Sequence, residues 1–391
     1  MAAIDPAASL RALFAACAAL HTAPADAQSS GDADRVSLRL HDYAEASFSG
    51  PHLGAAERYQ VQTAQAGVAL TVRGGFVLDV NALAERMSGA SPWFVLPDAQ
   101  GRPLQVLSGA SIADHRRELA VALGSPRGAA RRHTLHAQVS DEDDYHAVAL
   151  GYEQAHALDG QRTLTFGVRL SDDRIEPTDA RLYDRIERAD KHSAAAFAAA
   201  TLVLDRNRQL QVGASLEHAD GYLSDPYKQV LVDATLQRDA RPGSRLQGAV
   251  SWRYRQALRD GRSALHLDYR LSQDDWGVRA HALEAAWIGE FGDTLEFGPR
   301  LRYYSQDAAR FYAPFFVVAR ADGHASCDYR LGRFGAFSLG VDLTQHFGDI
   351  RLRLSAEHYR SATDYALGGR AEPVPGLVDY TRLSLGLDWM F

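Results

Sequence analysis

The sequence contains very little cysteine and no long apolar run. Only two of its 391 residues are cysteines, Cys17 and Cys327. If the first lies in a cleaved leader, the mature chain keeps one thiol, which excludes an intramolecular disulfide and a zinc site built from several cysteines. No stretch of about 20 apolar residues is present, so a membrane protein built from spanning helices is excluded. A strand-based membrane protein escapes this test because only every second residue of each strand is apolar.

The sequence also lacks a basic surface for nucleic acid. The formal net charge is −7, and no Lys/Arg-rich run is interleaved with aromatic residues. We therefore expect no nucleic-acid partner. The 32 glycines and 16 tyrosines suit the turns and the interfacial girdles of a membrane barrel. No change of composition marks a second domain.

The first 27 residues have the features of a secretory leader. Arg11 precedes a short apolar stretch, and 25–27 reads Ala-Asp-Ala, a cleavage site of the A-x-A type. We predict a signal peptide over 1–27 and a single mature domain over 28–391. The alternative is a lipoprotein signal ending at Cys17, but the apolar stretch before that cysteine is very short.

In the last ten residues, apolar side chains alternate with side chains that are mostly polar or small. Leu383, Leu385, Leu387, Trp389 and Phe391 occupy every second position. Successive side chains of a strand point to opposite faces, so one face of this segment is wholly apolar. A strand of this kind ending in an aromatic residue resembles the last strand of a bacterial outer-membrane barrel. Trp389 and Phe391 are therefore the candidate signal for the barrel-assembly machinery.

The same alternation recurs about every ten to twelve residues and predicts about sixteen strands. Short turns alternate with longer polar connections, which fall near 89–113, 172–192, 220–243, 306–330 and 362–377. The predicted fold is all-β: a transmembrane, antiparallel, up-and-down β-barrel in the outer membrane of a Gram-negative bacterium, in contact with its lipid and lipopolysaccharide. The Ala-rich segment 180–200 is the one place where a short loop helix is expected instead of a strand.

Many of the side chains that the predicted strands direct into the lumen are charged. Leu265 and Leu267 are assigned to lipid, and His266 and Asp268 to the lumen. The candidate pore-lining residues are Arg39, Arg169, Arg253, Asp268, Arg270, Glu296, Arg300, Arg302, Asp342, Arg351, Arg353, Glu357, Arg382 and Asp388. Opposed rows of arginine and carboxylate would create a transverse field that favours polar or charged solutes. Alternatively, they pair across the lumen and brace a closed barrel.

Several loop strings carry a family resemblance. They are Ser88–Pro92, Ser171–Pro177, Ser224–Lys228, Trp276–His281, and Tyr304–Gln306 followed by Phe311-Tyr312. In order and spacing they resemble an uncharacterised proteobacterial family, a domain of unknown function presumed to form outer-membrane barrels. The resemblance implies no activity and no catalytic residue. Members of the family are often encoded near a small lipoprotein, an exported flavin-attachment enzyme and a thioredoxin-like protein, which implies an envelope lipoprotein or an exported flavoprotein as a partner.

Two loop strings have alternative chemical interpretations. The acidic run 141–144 could bind Ca²⁺ or bridge lipopolysaccharide through divalent cations, or it is a solvated turn. In the candidate motif Ser224, Asp225, Pro226, Tyr227 and Lys228, the proline biases the preceding residue away from the α region and so shapes the loop. The alternative for this motif is contact with a ligand. The apolar segment 93–108 is unusual for a loop and could fold into the lumen or form an interface.

Three hypotheses for function follow. The first is a passive or gated channel for polar or charged solutes. The second is a structural scaffold or conduit that holds an envelope lipoprotein or redox partner. The third is an outer-membrane enzyme, but no Ser-His-Asp triad can be inferred from spacing. The pattern gives no reason to expect a cofactor or a metal, because the histidines are scattered over different strands and faces.

Overall fold

The computed structural model describes residues 34–108, 113–258, 261–368 and 372–391. The predicted signal peptide lies outside these residues. Sixteen long strands of the described chain form the barrel: β1 Arg35–Glu45, β3 Gln60–Thr71, β4 Val77–Ser88, β7 Ala113–Gly124, β8 Arg131–Glu142, β9 Tyr145–Ala157, β10 Arg162–Ile175, β11 Ala189–Asp205, β12 Arg208–Gly221, β15 Ser244–Ala257, β16 Ser263–Asp274, β17 Arg279–Phe291, β18 Leu295–Gln306, β19 Phe334–Phe347, β20 Ile350–Ala362 and β21 Tyr380–Met390. Five short strands lie in the connections: β2 His52–Leu53, β5 Pro92–Pro97, β6 Pro103–Leu107, β13 Gln229–Val232 and β14 Thr235–Arg238.

Each barrel strand pairs antiparallel with the next barrel strand along the chain, and the first pairs with the last. In the closing pair, Arg35 lies opposite Met390 and Glu45 opposite Tyr380. Closure leaves none of these sixteen strands with an unpaired edge. The predicted count of about sixteen strands is confirmed. None of the helices in the described residues is long and apolar enough to cross a membrane.

The outward face of the barrel is a continuous apolar belt. Leu150, Leu170 and Leu339 are each more than 60% exposed. Leu267 and Phe391 are also exposed and belong to the same outward phase. Large leucine side chains spread over a whole face in this way would be a liability in water, and they are the surface that lipid covers in membrane barrels.

The connections at one end of the barrel are short, and most at the other end are long. The expected loop 172–192 is shorter than predicted, because β10 continues to Ile175 and β11 begins at Ala189. The expected helix over 180–200 is wrong for the same reason. From Ala189 onward, the backbone of this Ala-rich segment pairs with β10 on one side and β12 on the other. Pairing on both sides outweighs the helix preference of alanine.

The long connections fold over the mouth of the barrel and form a compact unit, here called the plug. β5 and β6 pair antiparallel and β2 joins β6 in parallel, while β13 and β14 form a hairpin. The apolar segment 93–108 supplies two strands of this unit, so of the two expectations for it the structure supports inward folding. Phe94, Val95 and Val230 pack with Val232, Ala325 and Cys327 into one buried core.

The plug rests against inward-facing side chains at the loop end of the strands. Tyr359 of β20 and Ala336 of β19 pack against Tyr329 of the connection 307–333. Two strands along the wall from β20, the Arg58 guanidinium lies 2.6 Å from the Glu45 carboxylate of β1, and both side chains are buried. The plug is therefore fixed to the barrel wall by apolar and by ionic contacts.

Candidate functional site

Five charged side chains form a network at the centre of the plug, here called the ionic lock. Arg330 donates to Asp225 over 2.7 Å and to Asp328 over 2.8 Å. Arg241 donates over 2.7 Å to Asp328 and over 2.7 Å to Asp239. All five side chains are at most 10% exposed. The lock joins the connection 222–243 to the connection 307–333.

Burial and charge oppose each other in the ionic lock. Burial alone would raise the pKa of Asp328, but the cations of Arg330, Lys228 and Arg241 outweigh it and hold that pKa well below its usual range. Burial raises the pKa of Asp239 even though Arg241 lies beside it. Asp328 is therefore the firmly ionised centre of the lock. Beside it, burial raises the pKa of the Cys327 thiol to about 12, which leaves this cysteine a packing residue.

The motif at 224–228 shapes the plug. The Asp225 carboxylate accepts from the Tyr227 N–H over 3.0 Å, and Lys228 N–H donates to the Asp225 carbonyl over 3.3 Å, which closes a turn around Pro226. The Ser224 hydroxyl oxygen accepts from the Arg241 N–H over 2.9 Å. Asp225, Tyr227 and Lys228 are almost fully buried. These contacts support the loop-shaping interpretation of the motif.

Other loop strings also make contacts within the plug or at its junction with the wall. The Lys228 ammonium donates to the carbonyl of Pro92 over 2.6 Å, although the two residues are 136 positions apart. Trp276 is buried edge-on against Phe311, with ring centroids 5.1 Å apart. The Gln306 amide donates to the carbonyls of the connection 307–333 over 2.7 and 2.8 Å. The strings that carry the family resemblance thus build the plug and its junction with the wall.

A cluster of three carboxylates lies where the plug meets β7 and β8. One ligand oxygen each from Asp114, Glu142 and Asp144 lies within 4.8 Å of the other two, and all three residues are buried. Oxygen ligands at such spacing could hold a divalent cation. The sequence pointed to the acidic run 141–144, of which two residues join the cluster: Glu142 faces inward from β8, and Asp144 lies in the turn between β8 and β9. Asp114 comes from β7, which the run alone could not indicate.

The strand order around the barrel divides the wall of the lumen into two halves of eight strands each. The first half-wall runs from β3 to β12, and the second comprises β15 to β21 together with β1. The register places all fourteen candidate pore-lining residues on the inner phase. Arg169 lies on the first half-wall, and the other thirteen lie on the second.

Charged residues of the second half-wall pair with neighbours along the wall. Arg39 lies 2.5 Å from Asp388, and Arg300 lies 3.1 Å from Asp342. Glu357 accepts from Arg382 over 2.5 Å. Each pair joins adjacent strands, so the hypothesis that these arginines and carboxylates pair across the lumen is wrong for these residues. The wall is braced laterally.

Two glycines let arginines lie flat against this wall. A Cβ built on Gly386 would lie 2.9 Å from Cδ of Arg39, and one built on Gly340 would lie 2.8 Å from Nη2 of Arg300. At both positions the arginine would have to move to make room for a side chain. The guanidinium groups therefore occupy the space that a side chain would fill, and they extend along the wall instead of into the lumen.

The first half-wall has the opposite charge bias. Eight inward carboxylates lie on it together with the cations of Arg116, Arg132, Arg169 and Lys191; they are Asp79, Glu85, Asp114, Glu118, Glu142, Glu153, Asp173 and Glu217. On the second half-wall, the eleven arginines Arg35, Arg39, Arg245, Arg253, Arg255, Arg270, Arg300, Arg302, Arg351, Arg353 and Arg382 outnumber the nine carboxylates Glu45, Asp268, Asp274, Glu284, Glu290, Glu296, Asp342, Glu357 and Asp388. The field across the lumen thus arises between half-walls rather than between paired rows.

A cavity of about 870 Å³ lies near the plug end of the barrel, and strands of both half-walls line it. Its lining includes His41, Glu85, Arg116, Ser355 and Ser384, which face inward from β1, β4, β7, β20 and β21. The side chains of Tyr43, Val61 and Met87 pack together two residues further along their strands toward the plug. The space is large enough for a small polar solute.

The family model described as protein of unknown function (DUF3570) matches residues 7–376 of the chain. The chain belongs to this family. The resemblance seen in the loop strings is thereby confirmed. No curated protein matches the chain.

Solved structures with a similar fold are outer-membrane barrels. CdiB from Acinetobacter baumannii is 9% identical, with 92% of this chain and 60% of that chain covered and a TM-score of 0.51. The siderophore receptor PirA from Pseudomonas aeruginosa is 10% identical, with 91% and 61% covered and a TM-score of 0.45. OprD from Pseudomonas aeruginosa is 10% identical, with 92% of this chain and 94% of that chain covered and a TM-score of 0.43. The chain spans about 60% of the length of CdiB, and identities this low show the fold alone.

Proposed function

We propose that this protein is a gated channel in the outer membrane of a Gram-negative bacterium, for small polar solutes that carry both a positive and a negative charge. The observation that carries the proposal is the opposite charge bias of the two half-walls. Such a wall sets up a field across the lumen, and a dipolar solute can align with it. A solute of one charge is attracted by one half-wall and repelled by the other.

The plug supplies the gate in this proposal. Its core is tightly packed, and Val95 and Ser326 are 0% exposed. The described conformation is accordingly the closed one. Opening requires that the plug loosen at the contacts that join its connections, of which the ionic lock is the most concentrated.

The first test measures whether the barrel conducts. Wild-type protein and Arg330→Ala, in which the lock is weakened, are reconstituted into planar bilayers. We expect rare steps from the wild type and frequent steps from the variant. If neither gives discrete steps although both are folded by heat-modifiable migration, the channel proposal is refuted.

The second test measures selectivity in liposomes that contain the Arg330→Ala variant. A small zwitterionic amino acid should enter faster than an anion or a cation of similar size. Adding Glu118→Gln and Glu153→Gln neutralises part of the first half-wall and should shift the preference toward anions. The matched control neutralises Asp159, a carboxylate in a turn outside the lumen. Equal entry of all three solutes would contradict the role of the field.

A scaffold is the second candidate function, and the dense packing of the plug favours it. A lumen closed at one end by fixed loops could receive part of a partner from the other end. The partner in this proposal is an envelope lipoprotein or an exported flavoprotein. Isolation of the native protein from envelope membranes tests it: a stoichiometric lipoprotein or flavoprotein would support the scaffold, and a lone barrel would count against it.

A further inference from the structure

The short-turn end of the barrel is basic on one side. Four turns join strands of the first half-wall at this end. With the two strand residues on either side of each turn they form a surface here called the turn rim, which covers 70–78, 123–132, 156–163 and 204–209. Its charged residues are seven arginines and two aspartates: Arg73, Arg127, Arg131, Arg132, Arg162, Arg206 and Arg208, with Asp159 and Asp205.

Neighbouring carboxylates do not cancel this excess of arginine. Asp79 lies one residue deeper on β4, and Asp34 lies 3.7 Å from Arg127. Even with both included, seven arginines face only four carboxylates. The corresponding turns of the second half-wall have the opposite balance over their described residues, with two arginines and four carboxylates: Arg262 and Arg351, and Glu290, Asp293, Glu296 and Asp349. The positive charge is therefore confined to one side of the barrel.

Most arginines of the turn rim are not engaged by a carboxylate. Arg162 and Arg208 each lie 2.6 Å from the aspartate of their own turn. Apart from Arg127, the others are exposed and form no ion pair with a carboxylate in the described part of the chain: Arg73, Arg131, Arg132 and Arg206. Two of these, Arg73 and Arg206, lie past the last paired residues of their strands.

The spacing of the turns matches an extended polypeptide. Successive turns of the rim are two strands apart, which is about 10 Å at about 4.8 Å per strand, and somewhat more along the rim because barrel strands tilt. An extended chain advances about 3.3 Å per residue. A chain that follows the rim therefore passes a new turn roughly every third or fourth residue.

The location of the charge favours a protein segment over lipid. Lipid surrounds the whole circumference of a barrel, whereas these arginines occupy half of it. The lumen side of the same half-wall carries eight carboxylates against four cations, so an acidic segment is attracted by the rim and repelled from the lumen. Such a segment would lie across the turns without entering the channel.

We propose that the turn rim binds an extended, acidic segment of a periplasmic protein, with carboxylates at every third or fourth residue. The short turns of outer-membrane barrels face the periplasm, so a periplasmic partner can reach them. The inference goes beyond the channel and requires neither conduction nor a loosened plug. It can therefore fail or succeed independently of the channel.

The test is a fluorescence anisotropy titration of the detergent-purified barrel with a labelled peptide in which every third residue is glutamate. A second peptide carries glutamine at those positions. The variant is Arg73→Gln combined with Arg206→Gln. The matched control is Arg279→Gln combined with Arg360→Gln, which removes two exposed arginines at the plug end. Heat-modifiable migration shows that both variants are folded.

An exposed ion pair is worth roughly two- to fivefold in affinity, so the loss of two should weaken binding of the glutamate peptide about tenfold. The control should bind it like the wild type, and salt should weaken both because exposed charges are screened. An equal loss in the variant and the control would overturn the assignment to the turn rim, and equal binding of the glutamine peptide would overturn the role of carboxylates. Soluble dihexanoyl phosphatidylglycerol is titrated as a competitor; if the wild type binds it more tightly than the peptide, the occupant is lipid and the proposal is overturned.

Discussion

Replacing Arg330 with alanine should open the plug without unfolding the barrel. The side chain is 8% exposed and bridges Asp225 and Asp328, whose side chains are 3% and 0% exposed. Alanine removes the cation and leaves two buried carboxylates behind. Arg241 still lies 2.7 Å from Asp328, whereas the Asp225 carboxylate loses the cation that Arg330 provided and retains the hydrogen bond from the Tyr227 N–H.

The size of the effect follows from this geometry. Removing one partner of a buried ion pair costs about 3–5 kcal/mol, because the remaining charge is buried without compensation. Since Arg241 continues to compensate Asp328, we expect the lower end of this range, about 3 kcal/mol. An energy of about 1.4 kcal/mol is tenfold in an equilibrium constant, so the ratio of open to closed plug should rise roughly a hundredfold.

Single-channel recording measures this ratio as the open probability. The matched control is Arg320→Ala on the same connection, where Arg320 lies 2.6 Å from Asp322 in an exposed pair. Water already solvates both charges of that pair, so its loss should leave the open probability unchanged. If Arg330→Ala and Arg320→Ala behave alike, the ionic lock does not hold the plug, and the reasoning is refuted.

Three further predictions test the strand phase, assembly and pH dependence. Leu267→Arg places a charge on the lipid face and should lower folding stability by roughly 2–4 kcal/mol, whereas Asp268→Asn on the lumen face should lower it far less; equal losses in a urea titration would contradict the register. Deleting Phe391, which lies exposed beside Trp389, should reduce the folded fraction in heat-modifiable migration, and an unchanged fraction would argue against an assembly signal. The pKa of Asp328 is lower in the folded plug than in the unfolded chain, where it is about 3.9. Ionised Asp328 therefore stabilises the closed plug at any pH above about 3.9, and this stabilisation is lost only as the pH falls through the folded pKa. The plug should therefore stay closed from pH 7 to pH 4, and a rise in conductance near pH 5 would contradict this.

The barrel could be predicted because its signal is local. A strand with one face toward lipid repeats every two residues, and a stretch of ten residues such as the terminal strand is enough to show it. Turns such as Phe347-Gly348-Asp349 mark where one strand ends and the next begins, and Gly348 has a φ of 60° that suits a tight turn. The phase of His266 and Asp268 follows from the same pattern.

The plug could not be predicted because its contacts are distant in sequence. Arg330 and Asp225 are 105 positions apart, and Lys228 and Pro92 are 136 apart. No periodicity joins such residues, and a loop string shows only its local turn. The proline of the 224–228 motif did indicate a shaped loop, but nothing in the sequence indicated which loops would meet.

The lumen wall falls between these two cases. Alternation gives the phase of each charged residue, so all fourteen candidates could be placed on one face. Alternation does not give the position of a strand around the barrel. The sequence therefore could not show that the carboxylates of β4, β7 and β9 lie on a different half-wall from the arginines of β15 to β21. Once closure fixes the strand order, the same inner phase separates into two half-walls of opposite bias.

The glycines of the second half-wall connect the packing of the wall to the space inside it. Glycine weakens a strand because it adds backbone entropy and no side-chain contact. Gly386 and Gly340 nevertheless lie in the middle of paired strands, opposite Arg39 and Arg300 in the register. The two arginines cover these glycines and reach Asp388 and Asp342 from there. A barrel braced only for stability would gain from filling these positions, whereas a lumen that must stay passable gains from keeping its longest cations against the wall.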